Sequence, residues 1–171
     1  NRAKKLIQYI YEKLDMTSER VMSNLGHRES LLVWERDRFN ISPGDFGFHN
    51  TIRSSDGLKF IDFEFGGWDD PAKTFCDFYL QPEVYVEPGY IVLPNLMKGK
   101  RDLLRRSSVM AEIVYLKWLS IILGLLEPNR YNRLKRLRGK DACVSLARQR
   151  IEKAEGYMKN RLSVVNAIRE L

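Results

Sequence analysis

Residues 42–64 read SPGDFGFHNTIRSSDGLKFIDFE. Two acidic motifs lie in this stretch. The first is Asp45 followed, after four residues, by Asn50; the second is Asp62-Phe63-Glu64. Between them, 50–53 (NTIR) and 58–61 (LKFI) have the composition of short strands. The intervening Ser54-Ser55-Asp56-Gly57 contains Asp-Gly, the strongest short-range hairpin signal a sequence offers. One local hairpin therefore fixes both motifs. Asp45 and Asn50 fall in the loop that enters it, and Asp62 falls where its second strand ends.

The surrounding chain reads as mostly helical. Leu6, Ile7, Ile10, Tyr11 and Leu14 form an apolar stripe at helical spacing over 2–14. Thr17 or Ser18 is placed to cap a second helix over 19–25, with Gly26 ending it. Residues 29–39 suit a third helix better than a strand. After the hairpin, Gly66, Gly67 and Asp70-Pro71 mark a turn, and a helix is expected over 72–80. Residues 81–98 carry Pro82, Pro88, Gly89 and Pro94 and predict an irregular connection with one short strand at 90–93. A helix over 100–127 is ended by Pro128, a basic segment covers 130–140, and a long helix runs over 141–170. The expected fold class is thus mainly α with a small β-hairpin (α+β). Residues 1–171 form one domain, with a helical body at 100–171.

A chain of 171 residues, 44% hydrophobic and 30% charged, can bury a sizeable core and is not of disordered composition. Cys76 and Cys143 stand far apart with no metal-ligand spacing to His27 or His49. They predict free thiols in a reducing, cytoplasmic setting. The segment 109–126 is the most apolar, but Glu112, Lys117 and Gly124 interrupt it, so a buried core helix is expected and not a membrane span. The net charge of +7 favours anionic partners without choosing among them. Arg130, Arg133, Lys135, Arg136, Arg138 and Lys140 could serve nucleic acid, but a solvated helix face is the preferred reading, since no DNA-binding motif accompanies them.

The residue types in 42–64 suit phosphoryl transfer. That reaction needs a carboxylate to orient a hydroxyl and take its proton, and oxygen ligands for the metal that neutralises phosphate charge. Asp45 is read as the base, and Asn50 and Asp62 as metal ligands. Asp45-Phe46-Gly47 also spells a kinase metal-binding motif, but neither a strand nor an upstream Asp-x-x-x-x-Asn precedes it, whereas Asp62 has the strand and the order. Taken singly, each residue has a plainer role: Asp45 as a turn former, Asn50 as a strand-edge hydrogen bonder, Asp62 as a turn or cap carboxylate.

The stretch 42–82 resembles the aminoglycoside phosphotransferase and choline kinase-like superfamily. The resemblance rests on Gly44-Asp45, Asn50, Ile61-Asp62-Phe63-Glu64, Gly66-Gly67 and Asp70-Pro71, with Asp77 matching a later acidic position. SPGDFGFHN with GGWDDPAKTFCDF looks like a bacterial subgroup of phosphotransferases. Pro43 departs from the family's usual histidine, and Glu64 replaces the kinase glycine. The resemblance implies the C-terminal lobe of a protein kinase-like fold, with Mg2+ as cofactor and ATP as co-substrate. It implies an ATP-dependent small-molecule kinase acting on a small hydroxyl-bearing substrate. The family's N-terminal ATP-binding lobe, with its phosphate-covering loop and β-sheet lysine, has no counterpart before Asp45. The expectation is a fragment of a longer protein, inactive alone. The alternative is a pseudokinase or interaction domain with a basic nucleic-acid-binding helix.

Four further residues near the motifs are open between substrate contact and loop support. His49 lies inside the catalytic loop and is expected to orient it; Glu64 and Asp69 could meet a cationic substrate or hold the loop; Trp68 could stack on a ligand. Trp34 and Trp118 are read as packing residues, and Asp70 and Asp77 as structural.

Overall fold

The structure is a computed structural model, and it describes residues 2–25, 38–92, 97 and 99–171. Among these residues it is mainly helical, with two small antiparallel sheets. The order is α1 (Arg2–Leu25), β1 (Asn40–Ser42), β2 (Thr51–Ser54), β3 (Gly57–Phe60), β4 (Gly67–Asp69), α2 (Pro71–Leu80), α3 (Arg101–Leu123), α4 (Pro128–Arg138) and α5 (Lys140–Arg169). Short 3-10 turns occupy Phe48–Asn50, Pro88–Tyr90 and Gly124–Leu126.

Helix α3 is the hub, packed by α1, α2 and α5. Leu103, Ala111, Leu116, Leu119 and Ile122 recur at helical spacing and are buried. They meet Phe75, Cys76 and Leu80 of α2, Ala154, Tyr157, Val164 and Ile168 of α5, and Leu6 and Ile10 of α1 in one core. The stretch Arg101–Leu126 is the one among the described residues long and apolar enough to cross a membrane. In this fold its apolar stripe is the seam of the helical body, while Ile113 and Ile121 face outward.

Helix α2 begins where Asp70-Pro71 dictates. The Asp70 carboxylate accepts the Ala72 N–H at 2.8 Å, and Pro71 takes a first-turn position that needs no donor. Eight of its ten residues are buried, so α2 runs through the protein and not along its surface.

Several local expectations are corrected. The helices expected over 2–14 and 19–25 are one continuous α1. Thr17 is not a cap; its side chain is buried and its Oγ1 donates to Glu112 Oε2 at 3.1 Å, so a tertiary partner satisfies the hydroxyl that would otherwise start a helix. The helix expected over 29–39 lies, up to residue 37, outside the described residues, as does Trp34. The hairpin strands sit one residue from their expected bounds, and Gly57 pairs with Ser54 as the first residue of β3, at φ 111°. The strand expected at 90–93 is not found over its described residues. Pro88–Tyr90 forms a 3-10 turn, and the Val92 N–H and C=O are both answered by the Tyr79 hydroxyl, at 3.0 and 3.2 Å, which takes the place of a partner strand. Pro128 ends one helical segment and also opens α4, which Glu127 caps through the Asn129 and Arg130 N–H groups. The ladder β1–β4, which pairs Asn40 with Asp69, Ile41 with Trp68 and Ser42 with Gly67, was not foreseen, and β1 corrects the expectation that no strand precedes Asp45; the upstream Asp-x-x-x-x-Asn is still missing.

The two faces of α3 make a prediction. Leu119 is fully buried and Ile121 is 56% exposed. Leu119→Ala is expected to cost about 2–5 kcal/mol of unfolding free energy, because a buried cavity is left behind. Ile121→Ala is expected to stay within about 0.5 kcal/mol. Urea denaturation of the two variants checks this, and equal losses would sink the packing described.

Candidate active site

The loop 43–50 is shaped by what lies on either side of it. Ser42, at the end of β1, is buried and its Oγ accepts the Gly44 N–H at 3.2 Å. Gly44 adopts φ 84°, and a Cβ there would lie 2.4 Å from the Phe65 carbonyl oxygen. Only glycine fits both demands, so the residue before Asp45 rests directly on the segment that follows Asp62. Phe46 and Phe48 then anchor the loop. Phe46 packs 4.8 Å from Phe60 and 4.9 Å from Phe78, and Phe48 lies 4.8 Å from Phe78 (ring centroids). An apolar cavity of about 320 Å3 lies behind Phe46, lined by Phe60, Phe75, Phe78 and Met97; its walls offer no acid–base chemistry.

With its neighbours pinned, Asp45 is held at the loop's polar side. The His49 Nε2 lies 3.3 Å from Asp45 Oδ2, while Asp45 Oδ1 is buried with no hydrogen-bond partner among the described residues. Asn50 Nδ2 donates to the Asp45 carbonyl at 2.9 Å, and the Asn50 N–H to the Gly47 carbonyl at 3.1 Å. The loop thus closes on itself.

The hairpin carries this geometry to Asp62. The Ile61 N–H donates to the Asn50 carbonyl at 2.9 Å, one step beyond the Thr51–Phe60 pair. Asp62 follows immediately, and it is the only non-glycine residue among those described with positive φ, at 64°. A left-handed aspartate costs about 1–2 kcal/mol, and strain of this kind concentrates at functional sites. A turn closed by the Gly66 N–H on the Phe63 carbonyl, at 2.8 Å, leads into β4 and back to β1. The chain therefore makes a closed circuit: β1, Asp45, Asn50, hairpin, Asp62, β4, β1.

The remaining predicted residues divide. Glu64 is exposed in that turn, and Trp68 is 72% exposed across from Ile41. Asp69 is engaged: its Oδ1 accepts the Asp70 N–H at 2.9 Å and its Oδ2 pairs with Lys73. Asp70, besides capping α2, pairs with Arg106 of α3. Asp77 is buried and accepts from Lys117 and, at 3.0 Å, from Trp118 Nε1, with Lys73 Nζ 3.2 Å from its other oxygen. Burial works to lower the Lys73 pKa, but the hydrogen bond it donates to Asp69 and the charge of Asp77 outweigh that and raise it. Burial, followed by the charges of Asp77 and Asp70, pushes the Cys76 thiol well up, so it is no nucleophile. Among the described residues no three His, Cys, Asp or Glu side chains are grouped to hold a metal ion.

Two residues that shape the site were not read from the sequence. Gln81 is fully buried beside the loop; a Cβ on Gly47 would lie 2.7 Å from its Cγ. Its side chain braces Glu83 and Val84, and its carbonyl accepts both Nε and Nη2 of the buried Arg161, at 3.2 and 2.9 Å. Burial lowers the pKa of that guanidinium against the opposing influence of Tyr157 and Tyr85. Arg161 continues the apolar stripe Ala154, Tyr157, Val164, Ile168 of α5, and a cation on such a stripe is the signal that could have found it.

Comparison with protein-family models, with curated proteins and with solved structures returned no match.

The contact of Gly44 with Phe65 is testable. Gly57 also has positive φ but nothing within 4 Å of an added Cβ. We predict that Gly57→Ala costs about 1–2 kcal/mol from backbone conformation alone. Gly44→Ala should cost more and expose 43–66 to limited proteolysis, because Phe65 must move. Equal urea midpoints with unchanged cleavage would refute the close approach.

Proposed function

We propose that this chain is the catalytic and acceptor-binding lobe of an ATP-dependent small-molecule phosphotransferase, similar to the aminoglycoside phosphotransferase and choline kinase-like superfamily. The observation that carries this reading is the closed circuit from Asp45 through Asn50 to a left-handed Asp62. A loop that merely turned the chain would not need a buried carboxylate oxygen without a donor among the described residues; the left-handed Asp62 marks a sharp turn after the second strand, a conformation aspartate tolerates.

In this reading each group has one task. Asp45 takes the proton of the acceptor hydroxyl, within hydrogen-bond reach, as general base. His49, beside Oδ2, fixes the carboxylate so that Oδ1 is the oxygen without a prior partner. The Asn50 amide oxygen and the Asp62 carboxylate are hard oxygen donors of the kind Mg2+ selects. Because Mg2+ retains waters and phosphate oxygens, two protein ligands suffice, and the lack of a three-carboxylate cluster is no objection. When bound, the ion neutralises charge on the transferring phosphate. Glu64, exposed and unengaged by the body, is available to a cationic acceptor, whereas Asp69 already holds the start of α2. Among the described residues, no strand before Asp45 carries a lysine.

The test uses the longest polypeptide that carries this chain, assayed for Mg-ATP-dependent phosphorylation of a panel of hydroxyl compounds. Asp45→Asn is expected to lower turnover by about 10²–10⁴-fold, the usual worth of a general base. His49→Ala should have a smaller effect. Asp62→Asn and chelation of Mg2+ should each abolish transfer. Failure to bind Mg-ATP, or full activity in Asp45→Asn, would overturn the reading.

A further inference from the structure

The charge of the chain is concentrated in one place. The net charge is +7, and residues 128–140 (PNRYNRLKRLRGK) hold six Lys and Arg and no acid, which leaves +1 for all the rest. These residues form α4 and the first residue of α5. Helix α4 has no buried residue, and Arg130, Arg133, Lys135, Arg136, Arg138 and Lys140 are exposed. None of the six forms an ion pair with a described carboxylate. Elsewhere Arg2, Lys73, Arg106, Lys117, Lys153 and Arg169 all have acidic partners. Of the two flanking acids, Glu127 caps α4 through the Asn129 and Arg130 N–H groups and offsets part of the Arg130 charge alone, and Asp141 lies beyond the break at Gly139.

The arrangement is fixed as well as basic. Arg130, Arg133 and Arg136 follow one another at i, i+3 along α4, with Lys135 and Arg138 as a second such row. Tyr131 and Leu134 are half-buried, and the Tyr131 carbonyl accepts from the Cys143 thiol of α5 at 3.6 Å. That leaves Leu137 as the one exposed apolar side chain of the helix. A helix that lies in a bilayer interface needs a continuous apolar face turned outward. Helix α4 instead offers rows of exposed cations along one helix, which is complementary to a regularly spaced polyanion.

We infer that α4 docks the phosphodiester backbone of a nucleic acid strand, without reading its base sequence. The inference does not depend on the phosphotransferase reading. It is tested by fluorescence anisotropy of a labelled, mixed-sequence RNA of about 20 nucleotides with the whole chain. If about three or four phosphates of this single strand are engaged, affinity falls roughly 20- to 50-fold between about 50 and 200 mM NaCl. The combined variant Arg133→Gln, Arg136→Gln, Arg138→Gln should weaken binding at least about 10-fold and flatten the salt dependence. The control variant Arg148→Gln, Arg150→Gln, Lys159→Gln removes the same charge from exposed positions of α5 and should leave affinity within about two-fold. Absence of binding at low salt, equal losses in both variants, or tighter binding to phosphatidylserine vesicles than to RNA would each overturn the assignment.

Discussion

Two carboxylates on one face of α2 are buried, and both are answered from α3. Asp70 and Asp77 stand seven residues apart, two helical turns. Arg106 meets the first, and Lys117 with Trp118 meets the second. Such pairs add little net stability, since taking both charges out of water costs about what their attraction returns. Their effect lies in the alternatives they forbid. If α2 slid or rotated on α3, it would strand a charge in the core at a cost of about 3–5 kcal/mol. The apolar contacts alone tolerate repacking far more cheaply. The register of α2 is thus set by charge and its depth by apolar burial.

The site inherits its precision from that register. Phe78 and Tyr79 of α2 support the aromatic cluster under the loop, and Gln81, at the end of the same helix, closes against Gly47. Arg161 ties the Gln81 carbonyl to α5. At the other end of α2, Asp69 and Asp70 join β4 to the helix start. The loop that carries Asp45 is therefore held by Phe78 and Gln81 towards the end of this short helix, and β4, which follows the turn after Asp62, is joined to its start. These anchors, before and after Asp62 in the chain, help it keep a conformation its backbone would not choose unaided.

How far the sequence reveals this depends on how local the cause is. The hairpin announces itself through Asp-Gly, α2 through Asp70-Pro71, and α5 through the long helical pattern over 141–170. All are decided by local sequence. The β1–β4 ladder joins two three-residue strands more than twenty residues apart, too short for any alternation pattern to register. Thr17 looks like a cap because its hydroxyl needs a partner, and only the folded chain shows that Glu112 supplies it. Residues around 90 are rich in aromatic and β-branched side chains, yet the Tyr79 hydroxyl occupies the backbone groups a strand would need. Within the candidate site, the order of Asp45, Asn50 and Asp62 was legible as a motif. The brace of Gln81 and Arg161 was not, because a carbonyl–guanidinium contact across eighty residues leaves only an oddly placed arginine in the sequence.

The exposure of the site bears on the proposed chemistry. Asp62, Glu64, Phe63, Phe65 and Trp68 are all exposed, and Ile41 lies open opposite Trp68. Phosphoryl transfer to a chosen hydroxyl requires water to be kept from the reacting phosphate, and charges act most strongly where water is excluded. An open carboxylate pair among uncovered aromatic side chains meets neither condition. On the phosphotransferase reading, that side is where the nucleotide arrives, and the apolar surface around Trp68 is the ground on which a covering segment rests. Asp45, by contrast, is partly sheltered by His49 and the loop, so the two carboxylates of the candidate site differ in their exposure to water.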